Sequence, residues 1–430
     1  MIRVIAILKD PSIVAKIQNC FGVSYLKDTL NIKTANENEH RSQEQPIMLR
    51  KKSNKNLTEL DDDKETVELT YKPNNGSLTL EEPVSRTESS NKNSPETKET
   101  RSYEVKYKSW YFIFLFGTYL GDHIGYAIFL PFWFWNIDAQ IARKIVLVWT
   151  LVMYIGQVSK DIIQWPRPAC PPVIRLQKKW SLEYGMPSTH AMVGVALPSS
   201  VLYYTSHRYK FPVEIGVSLA LLFCILISLS RLYLGMHSLL DILAGLLFSS
   251  LLVLPFLPLV DYTDKLIEHD WFLFIIIAIS VILIATYPSG KTWTPTRGDT
   301  TTILSTCVGI QTAAWLHYKV NWVERPPFDP PFAFDLPPLN EIGYVAIRTL
   351  LGYLGIVVVL LFFDVLNKIF DWVLTRMRVK VKDVNTNRRL AHIDLIYKYL
   401  TYSTTSFNIV FVFPYIFQCL NINRTNYYWE

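Results

Sequence analysis

The feature that most limits how this chain folds is a series of apolar runs, each roughly 17–25 residues long. That is the length an α-helix needs to cross a hydrocarbon core about 30 Å thick. The runs lie near 110–135, 144–160, 190–206, 212–230, 237–258, 271–287, 300–318, 343–363 and 403–420. Inside lipid every backbone N–H and C=O must find its partner within the protein, so runs of this kind fold as helices. The chain is therefore expected to be all-α, a polytopic membrane helix bundle of about eight or nine spans. Half of its residues are hydrophobic and 14% are aromatic, which fits that class and no soluble one of this length. Two runs are imperfect. Gly121, Asp122 and His123 interrupt the first, and the seventh is only weakly apolar.

Residues 1–108 are of another kind, polar and rich in Asn, Ser, Thr, Glu and Lys. From 33 to 108 they read as a solvated, disordered tail. The first twenty include Ile2, Val4, Ile5, Ile7 and Leu8, then Ile13, Val14 and Ile17, a pattern for a short amphipathic helix. Such a helix is either transient on a loose tail or a contact with the membrane surface or a regulatory site. Residues 109–430 form the membrane domain. Within it, 320–338 is rich in proline and expected to be an extended loop. The basic segment 367–389 is expected to be a helix on the membrane surface.

The formal charge of +6 is not gathered into a stripe, so no nucleic-acid partner is expected. The five cysteines are far apart and form no CxxC pair, which argues against a zinc site or a disulfide scaffold. Orientation follows from charge. Arg143 and Lys144 precede the second run, and His207, Arg208 and Lys210 separate the third from the fourth. The positive-inside rule puts these ends in the cytosol. Lys160, Arg167, Ser188, His190, Arg231, His237 and Asp241 then meet at the opposite, non-cytosolic face.

Those residues suit the hydrolysis of a phosphate ester, which needs cations around a dianion, a nucleophile and an acid for the leaving oxygen. Lys160 ends a helix, and Pro166 and Pro168 hold Arg167 in an extended turn that can point back over it. Ser188 opens the next helix as N-cap, offering an anion free N–H groups and a partial positive charge. His237 and Asp241 are four apart, where a carboxylate can orient an imidazole. Each element alone has a bland reading: a snorkelling cation, a common helix start, a polar pair inside a bundle. Their convergence favours the functional one.

In this order, Lys160…Arg167-Pro168, Pro187-Ser188-Thr189-His190 and Ser230-Arg231…His237…Asp241 resemble the three-part signature of the type 2 phosphatidic acid phosphatase superfamily. The signature occupies 160–241, preceding most of the later runs and implying a six-helix phosphatase core. The resemblance implies that His237 attacks phosphorus to form a phosphohistidine and that Asp241 orients it. It further implies that His190 protonates the leaving oxygen and then activates water. Lys160, Arg167, Ser188, Thr189 and Arg231 would bind phosphate, with no metal and no cofactor. Thr189 stands where many members carry glycine, a small change in the phosphate cradle.

A narrower resemblance, to sphingosine-1-phosphate phosphatases, rests on Pro131-Phe-Trp-Phe-Trp-Asn136-Ile-Asp138, Glu183-Tyr-Gly-Met-Pro-Ser-Thr-His190, Thr296-Arg-Gly-Asp299 and Phe413-Pro-Tyr-Ile-Phe417. It implies a sphingoid base phosphate substrate in the bilayer and an endoplasmic reticulum enzyme with its site facing the lumen. A broader lipid phosphate or dolichyl pyrophosphate phosphatase is the alternative, and a non-catalytic lipid-binding relative would lack the histidines present here. Asp122 and His123 are either a helix break or a polar contact to the sphingoid amine or hydroxyl. Arg297 and Asp299 are expected to form an ion pair in a loop.

Overall fold

The computed structural model describes residues 2–25, 78–83, 100–177, 183–288, 295–322, 330–333, 339–376 and 384–424. In chain order its elements begin with α1 (Ile2–Leu8), α2 (Pro11–Cys20), β1 (Val23–Tyr25), β2 (Leu78–Pro83) and β3 (Thr100–Val105). The bundle follows: α3 (Lys108–Leu120), α4 (His123–Asn136), α5 (Ala139–Ile163), α6 (Thr189–Arg208), β4 (Tyr209–Lys210), α7 (Val213–Tyr233), α8 (Leu239–Asp261), α9 (Thr263–Leu266) and α10 (Phe272–Ala285). Last come α11 (Thr296–Lys319), β5 (Phe332–Ala333), α12 (Leu339–Arg376), α13 (Val384–Phe407), a π-helical turn (Asn408–Val412) and α14 (Phe413–Cys419).

Local chemistry sets the helix ends that matter. The Asp138 carboxylate accepts the Ile141 N–H at 2.8 Å and starts α5. Ser188 caps α6, and Ser238 with Asp241 forms a reciprocal capping box at α8. Helix α6 runs through the middle and packs on α5, α7 and α8, while α11 packs on α5 and α13. Residues such as Ile145, Val148, Met192, Val193 and Ile310 close the core between these helices.

Among the described residues four helices are long and apolar enough to cross a membrane by length and composition: α5, α7, the span Leu239–Leu266 and the stretch Glu341–Phe370. The α3–α4 pair, bent by 61° at Gly121 and Asp122, makes a fifth if it counts as one span. Eight or nine are thus not reached on apolarity alone. Helices α6 and α11 are long enough, but both carry polar residues into the bundle and are covered by neighbours, so they need little apolar surface of their own. Helix α10 is apolar but only 14 residues long.

Three expectations change. Most of 33–108 lies outside the described residues, but 78–83 and 100–105 form strands, with β3 central in an antiparallel sheet ordered β1-β3-β2. Val23, Tyr103 and Val105 bury themselves against Phe114, Ile174, Tyr233 and Met236, apolar partners that a polar composition does not reveal. Second, α2 is not loose: Val14 is fully buried beside Val173, Leu232 and Ile242. Third, the described parts of 367–389 belong to two longer helices, with 377–383 outside the described residues. The first part continues α12, with Lys368 paired to Asp364 at 2.7 Å one turn back, and the last part opens α13. Most of the proline-rich 320–338 lies outside the described residues; within it Phe332–Ala333 pairs in parallel with Tyr209–Lys210.

Candidate active site

All eight predicted site residues converge at one end of the bundle, where α5 and α7 finish and α6 and α8 begin. Lys160, in the last turn of α5, is 1% exposed and donates to Glu183 Oε2 at 2.7 Å and to Thr189 Oγ1 at 3.3 Å. Arg167 folds back as its flanking prolines predict. Its Nε donates to the Glu183 carbonyl at 2.8 Å, and its Nη1 donates to the Met236 carbonyl at 2.7 Å. The same Nη1 lies 3.4 Å from His237 Nε2. Arg231, wholly buried, donates through Nη1 to Gln177 Oε1 at 3.2 Å, while its Nε has no protein partner.

His237 sits in the turn between α7 and α8. Its Nδ1 is 2.9 Å from the Gly185 carbonyl oxygen. A carbonyl only accepts, so Nδ1 carries the proton and Nε2 keeps its lone pair. Asp241, the expected orienter, is 3.9 Å from Nδ1. Its Oδ2 instead accepts the Ser238 N–H at 2.7 Å within the capping box. The hydrogen bond that sets the tautomer therefore runs from Nδ1 to the Gly185 carbonyl, and Asp241 stands near the imidazole without bonding to it. Burial, and then the Arg167, Arg231 and Lys160 charges, holds the His237 imidazole well below its usual pKa. The ring is thus neutral, as a nucleophile must be.

Glu183 was not singled out from sequence. It is buried between Lys160 and Arg167, with Arg167 Nη2 3.8 Å from Oε2. Burial would raise its carboxyl, but Lys160 and Arg167 outweigh that and hold it below the usual glutamate range. Burial draws Arg167 down to about 10 against the pull of Glu183, so it stays charged at neutral pH. Glu183 is thus the resting counter-ion of a cationic cradle. A loop glutamate 23 residues from its lysine has no helical or strand period to announce it.

His190, in the first turn of α6, lines a small cavity of about 30 Å³ with Glu183, Thr189, Asp122, His123 and Asp299. Its Nε2 is buried without a hydrogen-bond partner. Asp122 caps α4 by accepting the His123 N–H at 2.7 Å, so the break in the first run is a capped helix start. The expected Arg297–Asp299 ion pair does not form; Arg297 donates to the Ile284 carbonyl at 3.2 Å. No group of three or more His, Cys, Asp or Glu side chains among the described residues is placed to hold a metal.

Two histidines facing a cradle of three cations at one end of a helix bundle can carry out phosphoryl transfer. Residues 141–265 match the family model described as the PAP2 superfamily. The chain is 38% identical to Sphingosine-1-phosphate phosphatase 1 of Rattus norvegicus over 317 residues, 73% of each chain. The chain belongs to the sphingosine-1-phosphate phosphatase family. It is 36% identical to Sphingosine-1-phosphate phosphatase 2 of Homo sapiens over 75% of this chain and 81% of that one. A more distant member, a dihydrosphingosine 1-phosphate phosphatase of Saccharomyces cerevisiae, is 25% identical over 49% of this chain and 54% of its own. No solved structure matches the chain. Membership makes it a lipid phosphate phosphatase embedded in a membrane by several helices.

Proposed function

We propose that the chain hydrolyses sphingoid base 1-phosphates in the bilayer by way of a phosphohistidine. The observation that carries the mechanism is the His237 tautomer, proton on Nδ1 toward Gly185 and lone pair on Nε2 beside Arg167. Nε2 forms the N–P bond while the ester P–O bond breaks. Lys160, Arg167 and Arg231, with the N-terminus of α6, spread the phosphoryl charge. His190 takes up a proton as the bound phosphate dianion offsets the cations around it, and gives that proton to the departing sphingoid oxygen. It then takes a proton from water as that water attacks phosphorus, and the P–N bond breaks to release phosphate. Asp241 stabilises the positive charge His237 gains while phosphorylated. Charge stabilisation is supplied by side chains throughout, so no metal is required. The family's substrates and the charge at the two ends support an endoplasmic reticulum enzyme whose catalytic end faces the lumen.

The test is phosphate release by the purified chain in detergent from a panel of sphingosine 1-phosphate, dihydrosphingosine 1-phosphate, phosphatidate and dolichyl pyrophosphate, with excess chelator. The expected result is turnover of the two sphingoid base phosphates, undiminished by chelator. A preference for phosphatidate or the pyrophosphate would overturn the substrate assignment, and a loss in chelator restored by magnesium would overturn the chemistry.

A further inference from the structure

The reaction needs only the phosphate, yet the structure holds a second polar feature beside it. The small cavity that contains His190 shares His123, Tyr126 and Asp299 with a groove of about 400 Å³ between α4, α11, α12 and α13. The groove is within the ~300–1,000 Å³ range of small-molecule sites. Away from the shared end it is mostly apolar, lined by residues such as Leu130, Phe134, Ile303 and Leu360, with Lys398, Thr405 and Ser406 also on its wall. The two cavities therefore adjoin, with polar residues between a catalytic histidine and a hydrocarbon slot.

At that junction Asp299 Oδ2 is buried and has no hydrogen-bond partner. Of the nearby cations, Arg297 is turned to the Ile284 carbonyl and Lys398 is paired with Asp394 at 3.0 Å. The His123 imidazole is 4.0 Å from Asp122. The bland reading places Asp299 in the first turn of α11, where a carboxylate suits the helix dipole. That explains an acidic residue there but not why one oxygen of a half-buried carboxylate is left unsatisfied beside two adjoining cavities. A buried carboxylate oxygen without a partner is costly, and a ligand cation bound there would offset that cost.

We propose that Asp299 binds the ammonium group of the substrate and that the adjoining groove takes its hydrocarbon chain. The proposal rests on the sphingoid base reading and deepens it. In such a substrate the amine is on the carbon next to the one bearing the phosphate ester, so a phosphoryl group at His237 brings the ammonium close to the catalytic cavity. A charge-assisted N–H···O bond there distinguishes sphingoid base phosphates from phosphate esters of the same length without an amine. A larger groove of about 610 Å³ between α4, α6 and α7 shares only Tyr126 with the catalytic cavity, and no ionisable side chain but Tyr126 lines it. It offers no place for an ammonium.

The experiment uses the full chain in detergent and measures kcat/KM for sphingosine 1-phosphate, its N-acylated form and a monoalkyl phosphate of equal chain length. Wild type is expected to favour the free amine by roughly tenfold or more, the scale of a charged hydrogen bond. In Asp299→Asn, which keeps the shape and removes the charge, that ratio should collapse toward one. Asp299→Glu should keep part of it. Filling the groove with Ala127→Trp should raise KM for the long-chain substrate, whereas Ala220→Trp in the other groove should not. A wild type active on sphingosine 1-phosphate with no amine preference, or a ratio unchanged in Asp299→Asn, overturns the proposal alone. Equal loss on all substrates in Asp299→Asn also overturns it and makes Asp299 structural. A wild type inactive on every sphingoid base phosphate sinks the functional reading and the proposal with it.

Discussion

His237 and His190 are both buried at the same end of the bundle, and their surroundings differ in a way that fits the separate roles proposed for them. Nδ1 of His237 is committed to a carbonyl, leaving Nε2 as the reactive atom, whereas His190 Nε2 is buried and unpaired in the cavity where a leaving oxygen would arrive. The roles separate experimentally by leaving group. His237→Ala should form no covalent phosphoenzyme with any substrate. His190→Ala should fail with a sphingoid alkoxide, which cannot depart without a proton. It should still be phosphorylated by an aryl phosphate, whose phenolate departs unaided. Phosphate release should then lag and phosphohistidine accumulate, seen by acid quench with a radiolabelled aryl phosphate. Trapping it in His237→Ala but not in His190→Ala would reverse the two assignments.

Among the elements, α2 is the one whose contribution the bundle does not advertise. Gln18, 1% exposed, donates through Nε2 to the Ile174 carbonyl at 2.6 Å and the Tyr233 carbonyl at 2.9 Å. Its Oε1 accepts the Ile174 N–H at 2.9 Å. It thereby fastens the loop after Arg167 to the end of α7, two turns of chain that lead directly to Gln177, Arg231 and His237. Gly235, at φ +69°, completes this joint, since a Cβ there would be 2.3 Å from the Ile174 oxygen. If the joint positions His237, Gln18→Ala should lower kcat by about tenfold, on the scale of one to two buried hydrogen bonds, with less change in KM. Gln18→Glu keeps the shape but sets a carboxylate against two carbonyls, so it should be worse than alanine. If Glu is instead the milder change, Gln18 acts through packing alone. Sequence exposed part of this. The three motifs predicted the cradle because each lies at a helix end marked by proline, Ser or an i,i+4 pair. The pattern of Ile13, Val14 and Ile17 predicted a helix, but an amphipathic face does not name the surface it docks on. Glu183, Gly185 and Gln18 escaped for one physical reason: their partners are distant in sequence, and for two of the three residues, Gly185 and Gln18, the bonds involve backbone carbonyls, which no residue type encodes.

At the scale of the molecule, the two ends of the bundle differ in charge and in what they hold. The end opposite the site carries Arg208 on Asp138, Arg143 on Asp264 and Lys144 on Asp261. The C-terminal segment reaches that same end, where Arg348 donates to the Ile422 carbonyl at 3.1 Å and Arg424 to that of Ile137. On the orientation proposed above, the positive-inside rule makes this end cytosolic. The N-terminal helix α2 is fixed to the other end by Gln18, beside the catalytic loops. If both ends of the bundle stand at the membrane faces, α2 and the segment 422–424 are expected on opposite sides, which requires an odd number of crossings between them. Basic residues in the last turns of α12 then fall on the catalytic side, against the rule. The packing of α12 overrides it: Gly352 rests on Trp135, and Leu360 lines the groove toward the catalytic end with His123. Cys20 and Cys419 are both exposed and report the two ends. In sealed vesicles with the cytosolic face outward, a membrane-impermeant maleimide should label a variant retaining only Cys419. A variant retaining only Cys20 should be labelled after permeabilisation and not before. If both thiols react in sealed vesicles, either α2 leaves the catalytic face in the membrane or the number of crossings is even. Cleavage by a protease added outside, at a site engineered beside Cys170 on the catalytic loop, distinguishes these. If that site is protected while Cys20 reacts, the helix has undocked and the crossings stand; if both are open, the catalytic end itself faces the cytosol.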